Sequence, residues 1–144
     1  MRNTPSPIVV RRASERDYPA IARLQQSCPE AAQWPVGDYS DFETLLALDD
    51  GRAAGFCAWR QTAPDEAELL NLGVDPVARR RGVASALLDA LCTHAQGEIF
   101  LEVAEPNAPA IALYAKRGWT PVAVRKGYYE QGRINAVVMK KRSW

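Results

Sequence analysis

At 144 residues with a formal net charge of +1, the chain is long enough to bury roughly two thirds of its unfolded surface in a single domain. It carries no global field that would draw it to nucleic acid. Three cysteines, Cys28, Cys57 and Cys92, are odd in number and widely spaced, which argues against a disulfide framework and a structural zinc site; each reads as a small buried apolar residue. No window reaches the roughly 18 apolar residues of a membrane span, and the opening MRNTPSPIVV has no apolar core of signal-peptide length. A cytoplasmic protein is expected.

Along the chain, the β-branched run Ile8 to Arg12 predicts a first strand. Ser14 with Asp17 three residues later resembles a capping box, predicting a helix through about Ser27 that Pro29 closes. Pro19 falls in the first two turns, where it does least damage. The stretch EAAQWPVGDYSDFE reads as irregular or briefly helical. In TLLALDDGRAAGFCAWRQ, two apolar runs meet at Asp50-Gly51, a hairpin dipeptide. Glu66 to Val74 predicts a further strand, whose late Gly73 suggests a bulge or the close approach of another backbone or a ligand.

Ala84, Leu87, Leu88, Leu91, Cys92 and Ala95 recur at helical spacing, with Gly97 as a C-cap. EIFLEVA is a strand, NAPAIALYAKRG a helix capped by Asn107 and stopped by Gly118, and WTPVAVRKGYY with INAVVMKKR a final strand pair. This order predicts one α/β (α+β) domain over the whole chain, a mixed sheet with helices on its faces. The single histidine, His94, reads as a solvated or dipole-compensating side chain at a helix end, and with scattered cysteines it builds no metal cluster. From Arg125 onward, Arg125, Lys126, Arg133, Lys140, Lys141 and Arg142 face only Glu130, a solvated edge or a docking surface for an acidic or ribosomal partner.

The stretch VDPVARRRGVASALLDAL crowds Arg79, Arg80 and Arg81 against Gly82 at the mouth of a helix. Strand, basic loop, glycine and helix together make a phosphate site: free N–H groups and the positive dipole end face the anion, and arginines add forked hydrogen bonds. The alternative is a solvated loop before an ordinary helix. Neither GxxxxGK[ST] nor GxGxxG is present.

Arg79-Arg80-Arg81-Gly82-Val83-Ala84 resembles the acyl-CoA signature of the GNAT acetyltransferase superfamily. The ordered series AELLNLGVDPVARRRGVASALLDAL, IFLEVAEPNAPAIALYAKRGW, KGYY and AVVM resembles its bacterial ribosomal-protein-alanine N-acetyltransferases. The resemblance implies a mostly antiparallel mixed sheet of about six to seven strands with helices on both faces. It also implies acetyl-CoA as co-substrate and a ribosomal protein N-terminus as acceptor; no metal and no nucleic-acid or membrane partner is expected, and a monomer or weak dimer. By the same resemblance Leu72, Gly73 and Val74 hold the pantetheine arm, and Arg79, Arg80, Arg81, Gly82, Val83, Ala84 and Ser85 the pyrophosphate. A backbone N–H near Val74 would face the oxyanion of acyl transfer.

Asn107 matches a CoA contact, although its place as N-cap is a sufficient structural reason for it. Glu102 matches the general base. It alternates out of phase with Ile99, Leu101 and Val103 and shares a face with Phe100 and Ala104, so apolar neighbours are expected around it, the setting of a base working near neutral pH; the alternative is a glutamate on a wet strand face. Tyr114 matches the general acid that returns a proton to the departing thiol, or forms one apolar helix face with Ala110 and Ile111. Tyr128 and Tyr129 match a tyrosine pair along the peptide site, and Trp34 lies in a region that flanks the peptide-entry side.

Two departures stand out. Ile134 and Asn135 replace an acidic pair of the relatives, and AAQWP around Trp34 replaces an aromatic-proline-tryptophan motif. Other acceptors, a small amine or a lysine side chain, and a non-catalytic acyl-CoA sensor are the competing expectations.

Overall fold

The structure, a computed structural model, describes residues 8–143. The signal-peptide reading rests in part on residues 1–7, which lie outside the described residues, as does the Glu130 side chain. The elements are β1 Ile8–Arg12, α1 Tyr18–Gln26, β2 Glu43–Asp49, β3 Arg52–Ala63, β4 Glu66–Val74, α2 Val83–His94, β5 Glu98–Ala104, α3 Ala108–Lys116, β6 Thr120–Tyr129 and β7 Ile134–Arg142. The strands form one seven-stranded sheet in the order β1-β2-β3-β4-β5-β7-β6. β4 and β5 pair in parallel, the geometry that needs a crossover connection, and α2 lies in that connection. The pairs β1/β2, β2/β3, β5/β7 and β6/β7 are antiparallel. A mixed, mostly antiparallel sheet of seven strands, as expected, is what forms.

Among the described residues the chain gathers into two compact units, residues 8–60 with 71–91 and residues 61–70 with 92–143. In the first, Ile21 and Leu24, one turn apart on α1, share a core with Cys28, Tyr39, Leu46, Phe56 and Ala58. The β2–β3 hairpin turns at Asp50 (φ 53°) and Gly51 (φ 78°), both left-handed as a type I′ turn demands.

The predicted helix starts later than its capping signal. Asp17 accepts the Ser14 N–H at 2.8 Å, but Glu15–Asp17 form a 3-10 turn and the α-helix begins at Tyr18. Pro19 then lies within its first turn, where no intrahelical hydrogen bond is lost. Asp17 also takes a forked pair from Arg11, at 2.8 and 2.9 Å. These contacts hold its carboxyl at about 2, below the ordinary 3.8, with the Arg11 hydrogen bond the largest cause.

A depressed carboxyl pKa adds stability above its unfolded value, and that stability is lost as pH falls through the folded one. Asp17→Asn is therefore expected to lower stability at pH 7 by about 1 kcal/mol, discounted because the arginine is solvent-exposed. Urea titrations across pH should show parent and variant converging as pH falls from about 4 to about 2. A gap that stays constant with pH would remove the ion pair as its cause.

In the second unit β5 alternates as its sequence predicts: Ile99, Leu101 and Val103 are buried, and Phe100, Glu102 and Ala104 half-buried. It pairs with β7 along its full length, Glu98 opposite Arg142 to Ala104 opposite Ala136. Trp119, Ala136 and Met139 are buried in this unit. Two expectations are corrected. α2 ends at His94, short of Gly97, so that glycine is no immediate C-cap; it is required where the chain passes Asp65. Cys92 is only half-buried, while Cys28 and Cys57 are fully buried, and all three are free thiols. Among the described residues no helix is long and apolar enough to cross a membrane.

Candidate active site

The arginine loop belongs to the first unit, and its charges are not equivalent. Arg79 pairs with Glu30, and Arg81 grips Asp49 through two nitrogens, Nη2 at 3.1 Å from Oδ1. Internal carboxylates thus balance two of the three. Arg80 is exposed, takes a left-handed φ of 67° and has no hydrogen-bond or ion-pair partner among the described residues.

Gly82 (φ 83°) has open space where a Cβ would stand. The first bond of α2 runs from the Ala86 N–H to the Gly82 carbonyl at 3.0 Å, so the N–H groups of Val83, Ala84 and Ser85 precede the intrahelical ladder. The Val83 side chain is core, which leaves only its backbone for the loop. A free guanidinium, unpaired N–H groups and open space above a glycine fit a pyrophosphate.

Arg80→Ala is therefore expected to weaken CoA binding about tenfold, the scale of one charge-assisted hydrogen bond, and more at low salt. Arg79→Ala, whose residue already has a carboxylate partner, is expected to cost less. Calorimetric titration with CoA at two salt concentrations measures both; no loss in Arg80→Ala would return the loop to ordinary solvated surface.

At Leu72, Gly73 and Val74 the close approach expected of the glycine exists, and its partner is the protein. A Cβ on Gly73 would lie 2.7 Å from the Phe56 ring, and one on Gly55 would lie 2.9 Å from the Gly73 carbonyl. The Cys28 thiol donates to the Val74 carbonyl at 3.1 Å, and burial is the main cause raising that thiol's pKa. The Leu72 N–H goes to the Asn71 side chain at 3.0 Å.

Trp34 stacks at a tilt on Tyr39 and Phe42, with centroids 5.2 and 5.1 Å apart. Its carbonyl accepts from Gln25 at 2.8 Å. The adjoining Ala32 is clamped by the Asn71 amide through its N–H (3.0 Å) and its carbonyl (2.9 Å), and the same amide donates to the Tyr39 hydroxyl at 3.0 Å. Burial pushes the Tyr39 hydroxyl up to about 12. Asn71 was missed in the sequence, although it stands in the buried phase of β4 with Ala67, Leu69 and Gly73. A polar residue at a core position was the available signal.

The second unit carries the other candidates. Glu102 shares the face of Phe100 and Ala104 as expected, but apolar surroundings are not what it meets. Arg125 of β6 places Nη1 3.2 Å from Glu102 Oε1. Tyr128 interacts with the same carboxylate through its hydroxyl, which holds that hydroxyl above its usual pKa. The Tyr129 hydroxyl makes a long contact of 3.4 Å to the Glu102 backbone carbonyl, and burial is the main cause raising its pKa. The two tyrosine rings meet edge-on at 4.8 Å.

This convergence depends on an irregularity in β6. Arg125 pairs with Ala136 but Tyr129 with Ile134, so β6 carries two more residues than β7 over that interval, with Gly127 in it at φ 66°. Such a bulge re-aims side chains. Asn135, half of the Ile134–Asn135 pair singled out in the sequence, anchors it: its Oδ1 accepts the Gly127 N–H at 3.0 Å, and its carbonyl accepts the Glu105 N–H at 2.8 Å. Arg125, read only as part of a basic tail, is the second residue that sequence reasoning missed. Its relation to Glu102 runs through β7, which pairs with both β5 and β6, and no local pattern shows that.

Tyr114 on α3 is buried, its ring 6.0 Å from that of Trp119. Asn107 caps α3, accepting the Ala110 N–H at 3.3 Å. No group of three or more His, Cys, Asp or Glu side chains among the described residues is arranged to hold a metal.

The chain belongs to the acetyltransferase (GNAT) family, whose model matches residues 10–119, and it is an acyltransferase that uses acetyl-CoA.

The chain is 38% identical over 134 residues to the ribosomal protein bS18-alanine N-acetyltransferase of Escherichia coli K12, covering 85% of this chain and 89% of that one. The crystal structure of the ribosomal-protein-S18-alanine N-acetyltransferase from Escherichia coli superposes with a TM-score of 0.80 at 29% identity, covering 93% of this chain and 92% of that chain. A mycothiol acetyltransferase of Clavibacter michiganensis is 40% identical over 127 residues, 78% of this chain but 41% of that protein.

Proposed function

We propose that this enzyme acetylates the N-terminal α-amine of a protein that begins with alanine, a small-subunit ribosomal protein of the bS18 kind. The observation that carries the reading is the Glu102 cluster, an anion flanked by two tyrosines, in a chain similar over most of its length to bS18-alanine N-acetyltransferases.

Acetyl-CoA, when bound, supplies a thioester-activated acetyl group. Arg80 and the N–H groups of Val83, Ala84 and Ser85 hold its pyrophosphate, with Arg79 and Arg81 keeping the loop in shape through Glu30 and Asp49. Leu72 to Val74 hold the pantetheine arm, and Asn107 adds a contact. An α-ammonium group, with a pKa of about 8, gives up its proton near neutral pH for about 1 kcal/mol, whereas a lysine costs several. Glu102 collects that proton directly or through a water. Tyr114, a phenol less acidic than a thiol and so protonated at neutral pH, hydrogen-bonds the departing sulfur and passes it a proton, which the proton released by the amine replaces. Trp34, Tyr128 and Tyr129 line the acceptor side.

A second reading, a small-molecule acceptor, is favoured by the likeness to a mycothiol acetyltransferase. Incubation with acetyl-CoA and either alanine-starting peptides or small amines, followed by mass spectrometry, separates the two. Peptide α-amine acetylation supports the leading reading; acetylation of small amines alone overturns it.

A further inference from the structure

We propose that Arg125 is a resident substitute for the acceptor's ammonium group: its guanidinium occupies the Glu102 carboxylate and the Tyr128 ring face, and the incoming α-ammonium displaces it. The inference rests on the reading of Glu102 as the group that meets the acceptor amine.

A carboxylate beside an aromatic face is a recognition set for an organic cation. Here that set is filled from within the chain. Arg125 Nη1 lies 3.2 Å from Glu102 Oε1, and its guanidinium carbon lies 5.4 Å from the centroid of the Tyr128 ring. The partners differ in exposure, 59% for the arginine side chain and 19% for the glutamate. The anion is fixed in the sheet, and the cation reaches it from solvent.

The contact is also longer than its counterpart in the first unit. Arg11 holds Asp17 through two nitrogens at 2.8 and 2.9 Å, whereas Arg125 approaches Glu102 at 3.2 Å. An ion pair with so exposed a cation contributes little, so a cation with equal access replaces it at small cost.

The β6 bulge supplies the geometry. Arg125 and Tyr128 are three residues apart, an odd spacing that would put them on opposite faces of a regular strand. The two extra residues against β7 and the left-handed Gly127 held by Asn135 bring both to one carboxylate. Glu68 adds negative charge felt at Tyr128, which favours a cation there whichever one is bound. An acceptor without a positive charge has nothing to exchange with Arg125, so the device selects for protonated amines ahead of neutral nucleophiles.

The test uses L-alaninamide, the smallest α-ammonium group followed by an amide, titrated against the full chain with the ring resonances of Tyr128 followed by NMR in tyrosine-labelled protein. No catalysis is needed. Arg125→Gln is expected to bind alaninamide two- to fivefold more tightly than the parent, roughly the range of an exposed ion pair, and Arg125→Lys to bind as the parent does. In steady-state assays with an alanine-starting peptide, the acceptor KM of Arg125→Gln should fall by a similar factor while the KM for acetyl-CoA stays at the parent value.

Equal or weaker alaninamide binding in Arg125→Gln overturns the proposal, and so does the absence of any effect at Tyr128 in both proteins. If alaninamide binds as expected but no alanine-starting peptide is acetylated, the proposed function fails and the displacement stands. If the peptide is acetylated and Arg125→Gln binds no more tightly, the displacement fails and the function stands.

Discussion

Glu102→Gln is expected to lower turnover by about two to four orders of magnitude, the contribution of a positioned general base, while leaving CoA affinity at the parent value. The amide keeps the shape of the side chain and a hydrogen-bonding oxygen for Tyr128, but it cannot take a proton from an ammonium group at neutral pH. The pyrophosphate is assigned instead to Arg80 and the first turn of α2, which belong to the other compact unit. Turnover and CoA titration should therefore separate cleanly. Unchanged turnover would remove Glu102 as the base; a parallel loss of CoA affinity would show a structural defect in its place.

Gly97→Ala is expected to destabilise the protein by about 3 kcal/mol or more, on the scale of the largest single-residue effects. A Cβ at this position would lie 1.8 Å from the Asp65 carbonyl oxygen and 2.1 Å from its carbon, with φ at +85°. The obstacle is backbone, so no rotamer change relieves it. Asp65 cannot retreat freely, because its carbonyl accepts the Glu98 N–H at 2.9 Å where β5 begins. Gly97 is itself tied to Ser143, its N–H to the hydroxyl at 3.0 Å and its carbonyl to the N–H at 2.9 Å.

Gly51→Ala is the control. Gly51 also has a left-handed φ, +78°, but nothing stands within 4 Å of its would-be Cβ, so only the backbone strain of about 1 kcal/mol remains. Thermal melts should show a drop of roughly 10 °C for Gly97→Ala against a few degrees for Gly51→Ala. Equal losses would mean that conformational strain, and not the approach to Asp65, sets the cost.

Most of the fold was legible because its elements obey local rules. Alternation along EIFLEVA marked β5 and its buried phase, Asp50-Gly51 marked the β2–β3 turn, and Asn107 and Gly118 marked the two ends of α3. One error lay in a local detail, the 3-10 turn that delays α1; another lay where a neighbour in space overrode a local signal, at Gly97, whose need comes from Asp65 thirty-two residues earlier.

The candidate site divides along the same line. The sequence alone picked out the candidate donor loop, since a run of arginines, a glycine and a helix start are contiguous and their chemistry is additive along the chain. It also singled out Glu102, Tyr128 and Tyr129 by type and resemblance. Only the tertiary structure decided which arginine is free, because Glu30 and Asp49 reach Arg79 and Arg81 from distant segments. It alone joined Arg125 to Glu102, through the register of β7 with β5 and β6 and a two-residue bulge. Electrostatic energy depends on distance in space, and in a sheet that distance is set by strand order and register, which residue spacing along the chain does not encode.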